Sequence, residues 1–267
     1  MIHPTAVVDP AADVDPTATV GPYVVIDGPV HVGAGTQVLA HAVLRGATRL
    51  GERNVVHPGA VLGGEPQDLA FGGGDTFLHV GNDNVFREHV TIHRGTADGS
   101  ATVVGDGNYF MQSAHVAHNC RIGNATIVAG GALLAGHVEL ADRAFVSGNC
   151  VVHQHVRIGR LALLRGLSRT SRDVPPFCIM DDTHTVRGVN AVGLRRAGFD
   201  AAAITALRRA FAVLFGRPTH LGRAVARLEA GETTDEVREL LAFIRASKRG
   251  VCVPPRRRGT DGEDAPE

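Results

Sequence analysis

The chain has 267 residues with 27 basic and 27 acidic side chains, and it contains no tryptophan. The balanced charge provides no basic footprint for a nucleic acid, so we expect no nucleic-acid partner. The apolar runs are far shorter than a membrane span, and the first residues lack the regions of a signal peptide, so we expect no transmembrane segment and a cytoplasmic protein.

An apolar residue recurs at every sixth position through the first two thirds of the chain. Stepping by six from Ile2 to Leu164 meets an aliphatic residue or Phe everywhere except at Asp68, Gly74 and Asp98. Helices repeat near 3.6 residues and half-buried strands near two, so neither explains the pattern. A period of six is typical of hexapeptide β-helices. The sequence therefore predicts an all-β solenoid over residues 1–190, a parallel β-helix with three hexads in each triangular coil.

The three exceptions mark two predicted loops, at about residues 63–79 and 93–103. Both segments carry glycines, and the first contains the run 72–74. Long excursions from a regular scaffold carry binding groups more often than structural ones. We therefore expect Asp68, in the first loop, to belong to a substrate site.

The coil length predicts which residues are neighbours in space. Residues 18 apart should stack about 4.8 Å from each other in adjacent coils. This places His118 beside Gly136 and Gln154, and it gathers five histidines within about three coils: His115, His118, His137, His153 and His155. A histidine can act as the general base for a hydroxyl or amine, and a glycine N–H can hold an acyl-transfer oxyanion. The cluster indicates acyl transfer, with metal binding by three histidines as the alternative.

A column of glycines follows from the same rule. Gly130, Gly148 and Gly166 should stack, and the next member by count is His184. Such a column leaves a trough on the outer surface, suited to an elongated apolar group and closed by a bulkier residue. The segment Asp173-Val174-Pro175-Pro176 interrupts the hexads before His184 is reached.

Residues 191–253 are predicted to form a small α-helical domain. Asp200 should cap a helix that ends at Leu214, and two further helices are predicted over residues 221–230 and 234–247. Residues 254–267 are typical of a disordered tail. The four cysteines are widely spaced and no pair has metal-ligand spacing, so we expect reduced thiols and no bound metal.

Eight segments of the chain, taken in order, resemble the UDP-N-acetylglucosamine O-acyltransferases of lipid A biosynthesis. They are Gln67-Asp68-Leu69, Val90–Thr96, Ala114–Cys120, Leu134–Val138, Val152-His153-Gln154, Asp173–Pro176, Gly188-Val189-Asn190 and Gly198-Phe199. The resemblance runs from about residue 2 to 250. It implies a left-handed parallel β-helix with a C-terminal helical domain, assembled as a homotrimer with active sites between subunits.

The resemblance also implies an activity and the residues that carry it. A 3-hydroxyacyl chain would pass, without a cofactor, from acyl carrier protein to the glucosamine 3-hydroxyl. His118 matches the general base and Gly136 the oxyanion donor. The remaining matches contact the sugar, the diphosphate or the acyl donor (Asp68, His115, His137, His153 and Gln154), lie near the nucleotide (Asn190 and Arg196), or limit acyl length as a ruler (Gly166 and His184). Glycine at position 166 favours a chain nearer fourteen carbons than ten.

Four positions depart from the family pattern. Ala70 stands where a Lys is typical, Val192 where Glu is common, Ala197 where a second Arg is common, and Asn119 where Asp is frequent. Each missing cation removes a phosphate partner. A different nucleotide sugar, such as a 3-amino sugar acylated on nitrogen, is therefore an alternative acceptor.

Two alternatives from other classes are weaker. A γ-type carbonic anhydrase would need a histidine where Ser113 stands. A non-catalytic protein with a decayed site would not be expected to keep His118, Gly136 and Gln154 together.

Overall fold

The computed structural model describes residues 1–216 and 220–255. Its larger part is a three-sided parallel β-helix, followed by four short helices, and so the predicted class of all-β solenoid with a small α-helical part is confirmed. Most strands are only two residues long, because the chain turns a corner after each one.

Each side of the β-helix is one sheet that collects about every third strand. Sheet I contains β1 (Val7–Val8), β4 (Val25–Asp27), β7 (Val43–Arg45), β10 (Val61–Gly64), β13 (Thr91–His93), β16 (His115–Val116), β19 (Leu133–Leu134), β22 (Val151–Val152) and β25 (Arg169–Thr170). Sheet II contains β2 (Asp13–Val14), β5 (His31–Val32), β8 (Ala47–Leu50), β11 (Phe77–Val80), β14 (Ala101–Val104), β17 (Arg121–Ile122), β20 (Glu139–Leu140) and β23 (Arg157–Ile158). Sheet III contains β3 (Thr19–Val20), β6 (Gln37–Val38), β9 (Val55–Val56), β12 (Val85–Phe86), β15 (Tyr109–Phe110), β18 (Ile127–Val128), β21 (Phe145–Val146), β24 (Leu163–Leu164), β26 (Cys178–Asp181) and β27 (Thr185–Val189).

The residues of the hexad count fill the interior. Neighbouring side chains of a strand point to opposite faces, so a two-residue strand sends one side chain inward and one outward. Val146 is completely buried, for example, while Phe145 before it is only partly covered. Phe86 and Phe110 stack in adjacent coils with ring centroids 5.2 Å apart. Burial of this continuous aliphatic column stabilises the solenoid.

A short polar row also runs through the interior. Asn54, Asn84 and Asn108 are buried one above another. The Asn84 amide nitrogen donates to Asn54 Oδ1 at 3.0 Å, and that of Asn108 donates to Asn84 Oδ1 at 2.9 Å. Thr126 Oγ1 continues the row by donating to Asn108 Oδ1 at 2.7 Å. Each buried amide thereby has a protein hydrogen-bond partner in place of the water that it loses on burial.

The two predicted loops are present, and both are shorter than predicted. The irregular segments are residues 65–76 and 94–100. Val61 pairs with Thr91, an offset of 30 residues, and Thr91 pairs with His115, an offset of 24. The loops therefore add whole multiples of six to the 18-residue coil, which is why the hexad count continues in phase beyond them.

The 18-residue count ends after Thr170, which still pairs with Val152. Leu164 pairs with Met180 and Arg169 with Thr183, so the offsets fall to 16 and 14 residues. The prolines of the 173–176 segment cannot donate to a ladder, and the chain then folds back into the antiparallel pair β26–β27. The predicted stacking of His184 on Gly166 at 18 residues is therefore wrong.

The helical part comprises α1 (Ala191–Arg196), α2 (Ala201–Phe215), α3 (Leu221–Glu229) and α4 (Asp235–Arg245). Asp200 caps α2 as predicted, its Oδ1 accepting from the Ala203 N–H at 2.7 Å. The three predicted helices are confirmed to within two residues at each end, whereas α1 was not predicted. A second apolar cluster joins these helices to Leu161 and Phe177 of the last coils.

After α4 the chain returns to the β-helix. Val251 pairs with Asp173, and Val253 pairs with Thr185. The predicted disordered tail lies outside the described residues from position 256 onward. Within the described ranges, none of the helices has the length and apolar character needed to cross a membrane.

Candidate active site

His118 lies at the corner between β16 and β17, and Gly136 lies at the same corner one coil further on. The predicted stack is confirmed, since the N–H of His137 donates to the His118 carbonyl at 2.9 Å. A Cβ on Gly136 would come within 2.6 Å of Cε1 and Nε2 of the His118 ring. Only glycine lets the imidazole lie against the backbone at this point.

Gly136 is itself buried at this corner. In the part of the chain that the structure describes, its N–H donates to no protein acceptor. An unpaired N–H beside an imidazole is the arrangement that stabilises an oxyanion while the imidazole moves a proton.

The loop of residues 65–76 adds a carboxylate to this corner. Asp68 Oδ2 lies 3.7 Å from His118 Nε2, while Asp68 Oδ1 accepts the Ala70 N–H at 2.9 Å. The His118 side chain is only 12% exposed and that of Asp68 is 34% exposed. The distance is too long for a direct hydrogen bond, so a hydroxyl beside the pair could hydrogen-bond to both side chains.

The opposite ring nitrogen of His118 is held by its neighbour. Nδ1 lies 2.9 Å from Asn119 Oδ1. Asn119 has a positive φ of 59°, which turns its side chain back over the ring. His118 is thus fixed on one side by Asn119 and left free at Nε2.

Two further histidines continue the column beside His118. The ring of His137 meets His118 edge-on at a centroid distance of 5.3 Å, and it stacks on His155 at 4.5 Å. Partial loss of hydration, with the charges of His155 and His118, lowers the pKa of His137, while Asp68 acts in the opposite direction. His137 therefore favours its neutral form, able to donate and to accept hydrogen bonds.

His115 lies on sheet I and faces outward from β16. Its Nδ1 is 2.7 Å from Thr91 Oγ1, and its ring meets that of His93 edge-on at 5.2 Å. Burial, with a smaller contribution from His93, lowers the pKa of His115 to about 4. Burial also lowers the pKa of His93. Both rings are neutral at pH 7, so they offer hydrogen bonds without charge.

The residues that anchor the first loop belong to the segment Val90–Thr96, which carried the family resemblance but was given no role in the site. Arg94 donates to Thr76 Oγ1 at 2.9 Å and to the Gly63 carbonyl at 3.1 Å, and its guanidinium lies over Phe71. His93 Nδ1 contacts the Glu65 carbonyl. Their signal was the short run His-Arg-Gly-Thr at the start of the second loop, which joins the two loops beside the site.

A cleft of about 600 Å³ opens beside the histidine column. Its lining includes Asn119, His137 and His155, together with Lys248 and Arg249 from the segment after α4. Arg249 Nη2 also approaches His153 Nδ1 at 3.3 Å. Gln154 is exposed at the corner after β22.

Four predicted site residues lie apart from His118 within the chain. Asn190 is buried and caps α1, with Oδ1 accepting from Gly193 N–H and Nδ2 donating to the Leu161 carbonyl. Arg196 is exposed at the end of α1. Gly166 is exposed, and His184 is held by Thr170 and Ser171. Burial, with Arg172 and Arg169, lowers the pKa of His184.

The four cysteines are buried free thiols. Burial raises the pKa of Cys120 and Cys178 to about 12 and that of Cys252 to about 11. Burial also raises the pKa of Cys150. Thiolates are therefore scarce at neutral pH. Among residues 1–216 and 220–255, no three His, Cys, Asp or Glu side chains are grouped to hold a metal ion.

This fold and site define an acyltransferase built on a parallel β-helix. Residues 173–252 match the profile of the second domain of UDP-N-acetylglucosamine O-acyltransferases. An acyl-[acyl-carrier-protein]–UDP-N-acetylglucosamine O-acyltransferase of Synechocystis is 43% identical over 206 residues, covering 77% of this chain and 75% of the relative. One from Thermodesulfovibrio yellowstonii is 39% identical over 254 residues, covering 94% and 98%.

A solved structure gives the same result. The UDP-N-acetylglucosamine acyltransferase of Francisella novicida superposes with a TM-score of 0.92 at 30% identity, covering 96% of this chain and 95% of that one. The chain therefore belongs to the acyl-[acyl-carrier-protein]–UDP-N-acetylglucosamine O-acyltransferase family, and its solenoid is a left-handed parallel β-helix.

Proposed function

We propose that this protein transfers a 3-hydroxyacyl chain from acyl carrier protein to the 3-hydroxyl of UDP-N-acetylglucosamine, with His118 as general base and Gly136 as oxyanion donor. The observation that carries the proposal is the imidazole of His118 lying against Gly136, whose N–H has no acceptor among the described residues. The family relationship supports the substrates, because the named relatives act on this pair.

The residues of the corner divide the reaction into two steps. His118 Nε2 takes the proton of the sugar hydroxyl as its oxygen attacks the thioester carbonyl, and the resulting oxyanion accepts the Gly136 N–H. Collapse of the tetrahedral intermediate forms the ester and breaks the carbon–sulfur bond. The thiolate of the carrier leaves and receives the proton from His118, which returns to its neutral state.

The proposed substrate-binding residues lie around the corner that carries His118. Asp68, 3.7 Å from Nε2, is proposed to accept a sugar hydroxyl and to favour the protonated imidazole as it forms. His115, His137, His153 and Gln154 are proposed to contact the sugar, the diphosphate or the acyl donor. The neutral character of His115 and His137 suits hydrogen bonds to uncharged groups.

The remaining predicted residues fit a site completed by a second copy. Asn190 and Arg196 are proposed to lie near the nucleotide, and Gly166 and His184 to limit acyl length. All four lie apart from His118 within one chain, as expected if a neighbouring subunit supplies them.

The outer faces of the β-helix support a homotrimer. The outward residues of sheet III are almost all apolar from Val55 to Ile179, including Tyr109, Ile127, Phe145 and Leu163. Sheet I presents Leu133 and Val151, which are 43% and 48% exposed. Sheet II presents an alternating charged row that includes Arg121, Glu139 and Arg157. Apolar faces on two sides of a three-sided prism favour a ring in which sheet III of one copy meets sheet I of the next.

We propose a cytoplasmic setting and a division of labour along the chain. Four free, buried cysteines fit a reducing compartment. Residues 1–190 are proposed to be the catalytic β-helix and residues 191–253 the helical domain.

The test is an acyl-transfer assay with purified protein, followed by mass spectrometry of the product. UDP-N-acetylglucosamine and its 3-amino analogue are offered separately, each with acyl carrier proteins bearing ten to sixteen carbons. We expect ester formation with a chain near fourteen carbons. A strict preference for ten carbons would refute the proposal that Gly166 leaves room for a longer chain. Turnover of the 3-amino analogue alone would show that the product is an amide and not an ester.

The role of His118 is tested in the same assay. His118→Ala should lose about 10²–10⁴-fold in kcat, the usual contribution of a general base. His31→Ala is the matched control, since His31 pairs with Asp13 on the outer face of sheet II. Near-normal turnover by His118→Ala would remove it as the base.

A further inference from the structure

We propose that Arg169 closes an apolar strip formed by Leu133 and Val151 on sheet I, and that its charge sets the longest acyl chain that the protein accepts. The inference rests on the proposed function, because it names a residue that decides between acyl donors of different length. Arg169 acts on the choice of substrate, whereas His118 remains the residue that moves the proton.

The strip is a column of outward side chains on sheet I. His115 pairs with Leu133, Leu133 with Val151, and Val151 with Arg169, each one coil further along the solenoid. Leu133 and Val151 are 43% and 48% exposed, and Arg169 is also exposed. Two apolar rows therefore face outward between a histidine at one end and an arginine at the other.

The column of glycines runs beside this strip, at the corner between sheets III and I. A Cβ at Gly148 would meet only the Gly130 carbonyl oxygen, at 3.3 Å, and one at Gly166 only the Gly148 carbonyl oxygen, at 3.5 Å. A Cβ at Gly130 would instead come within 2.7 Å of Gln112 Nε2, so that side chain covers the first glycine. The open part of the trough thus extends from Gly148 to Gly166 and ends in the coil that contains Arg169.

The two ends of the strip differ in charge. The lowered pKa of His115, about 4 because of burial, leaves its ring neutral at pH 7. The Arg169 guanidinium is always charged. Its Nε donates to Thr183 Oγ1 at 2.9 Å, and it forms no ion pair with a carboxylate among the described residues. Arg165 differs, because its Nη1 lies 3.1 Å from Asp181 Oδ2.

An acyl chain that reached past Val151 would have to cover the Arg169 guanidinium. Covering an uncompensated charge with methylene groups costs more free energy than the contact of one or two methylenes gains. A chain that ends below Arg169 keeps its contacts with the strip and leaves the charge in water. The charge therefore limits chain length at a point where the apolar surface alone would not.

His184 does not occupy the position directly beyond Val151. Its ring nitrogens lie 3.2 Å from Thr170 Oγ1 and 3.4 Å from Ser171 Oγ, and these are the two residues that follow Arg169. The register of the strands places Arg169 itself opposite Val151. The residue that continues the strip is therefore Arg169, with His184 beside it.

Two variants with unbranched side chains separate the charge of Arg169 from its bulk. Arg169→Met removes the charge, whereas Arg169→Lys keeps it. The acyl-transfer assay is run with donors of ten to eighteen carbons. For a donor two carbons longer than the one that the unaltered protein prefers, Arg169→Met should raise kcat/KM roughly tenfold, the gain from burying two more methylene groups. Arg169→Lys should keep the length profile of the unaltered protein.

The gain for the longer donor should appear as a lower KM with kcat nearly unchanged. The end of the chain is remote from the reacting carbonyl, so it contacts the protein equally in the ground state and the transition state. A gain in kcat at constant KM would overturn the assignment of Arg169 to the end of the strip.

Arg49→Met is the matched control, since Arg49 is exposed on the outer face of sheet II, between His31 and His79. Its length profile should equal that of the unaltered protein. An unchanged profile in Arg169→Met, or an equal extension in Arg169→Lys, would overturn the proposal. Failure of the proposed function would appear separately, as no acyl transfer by the unaltered protein with a donor of any length.

Discussion

The imidazole of His118 rests directly on the backbone of Gly136 in the next coil, with no space between them for a methyl group. A Cβ on Gly136 would lie 2.6 Å from both Cε1 and Nε2. The contact places the proposed base and the proposed oxyanion donor in one fixed geometry. It also makes that geometry sensitive to the smallest possible substitution.

Gly136→Ala is expected to lower kcat by roughly 10²-fold, because the methyl group displaces the imidazole from its position against the N–H. Circular dichroism should show an unchanged fold, since the nearest atoms that the added methyl group meets belong to the His118 side chain and not to the backbone. Gly222→Ala in α3 is the control, because a Cβ there has no neighbour closer than 3.7 Å. Equal activity of the two variants would contradict the geometry assigned to His118.

Acid should destabilise the fold partly through His115. Its pKa is about 4 in the folded protein, below the ordinary value of about 6.5. Between these two pH values the ring is protonated in the unfolded chain and neutral in the folded protein. Stability is unaffected by this group above about pH 6.5, falls as pH decreases toward 4, and falls no further once both states are protonated. His115→Gln should therefore reduce the loss of urea midpoint between these pH values.

The control for that titration is His31→Gln, on the outer face of sheet II. His93 adds a second loss of the same sign, because its pKa is also lowered by burial. The His115 variant should consequently flatten the pH dependence without abolishing it. An unchanged slope would show that the His115 ring is not the group that resists protonation.

The buried asparagine row should make a large contribution to stability. Asn84→Ala leaves Asn54 Oδ1 with the backbone N–H of residue 84, but it removes the oxygen that accepts from both the N–H and Nδ2 of Asn108. We expect a loss of about 2–4 kcal/mol in the free energy of unfolding, since the N–H and Nδ2 of Asn108 stay buried without their acceptor. Thr126→Val, at the end of the row, should cost less because it removes one hydrogen bond. Denaturant unfolding measures both variants, and equal losses would argue against a continuous row.

The proposed trimer depends on the apolar face of sheet III. Phe145→Glu should yield monomers in light scattering and should lose activity, because the site would lack the residues of a neighbouring copy. Val103→Glu is the matched control, since Val103 faces outward on sheet II beside Arg121. A trimer that survives Phe145→Glu but not Val103→Glu would place the interface on sheet II and contradict the proposal.

The sequence by itself determined the scaffold. A period of six admits neither a helix nor a flat strand, and it continues through both loops because they add twelve and six residues. The same count placed His118 beside Gly136, because stacked parallel strands must keep register along the whole solenoid. Helix caps such as Asp200 were also readable, because their hydrogen bonds are local.

Only the tertiary structure decided what lies beyond that register. Asp68 reaches His118 through a loop whose course depends on Arg94 and on contacts between the two loops, and no periodicity describes such contacts. The Asn119 amide accepts from the Thr96 N–H and donates to Ser100 Oγ, and these two residues lie 23 and 19 positions earlier in the chain. Past Thr170 the count itself fails, because prolines and an antiparallel turn end the equal spacing of the coils. Strand register repeats from coil to coil and can therefore be counted along the sequence. The contacts around His118 are made by two loops that occur once in the chain, so no repeat predicts them.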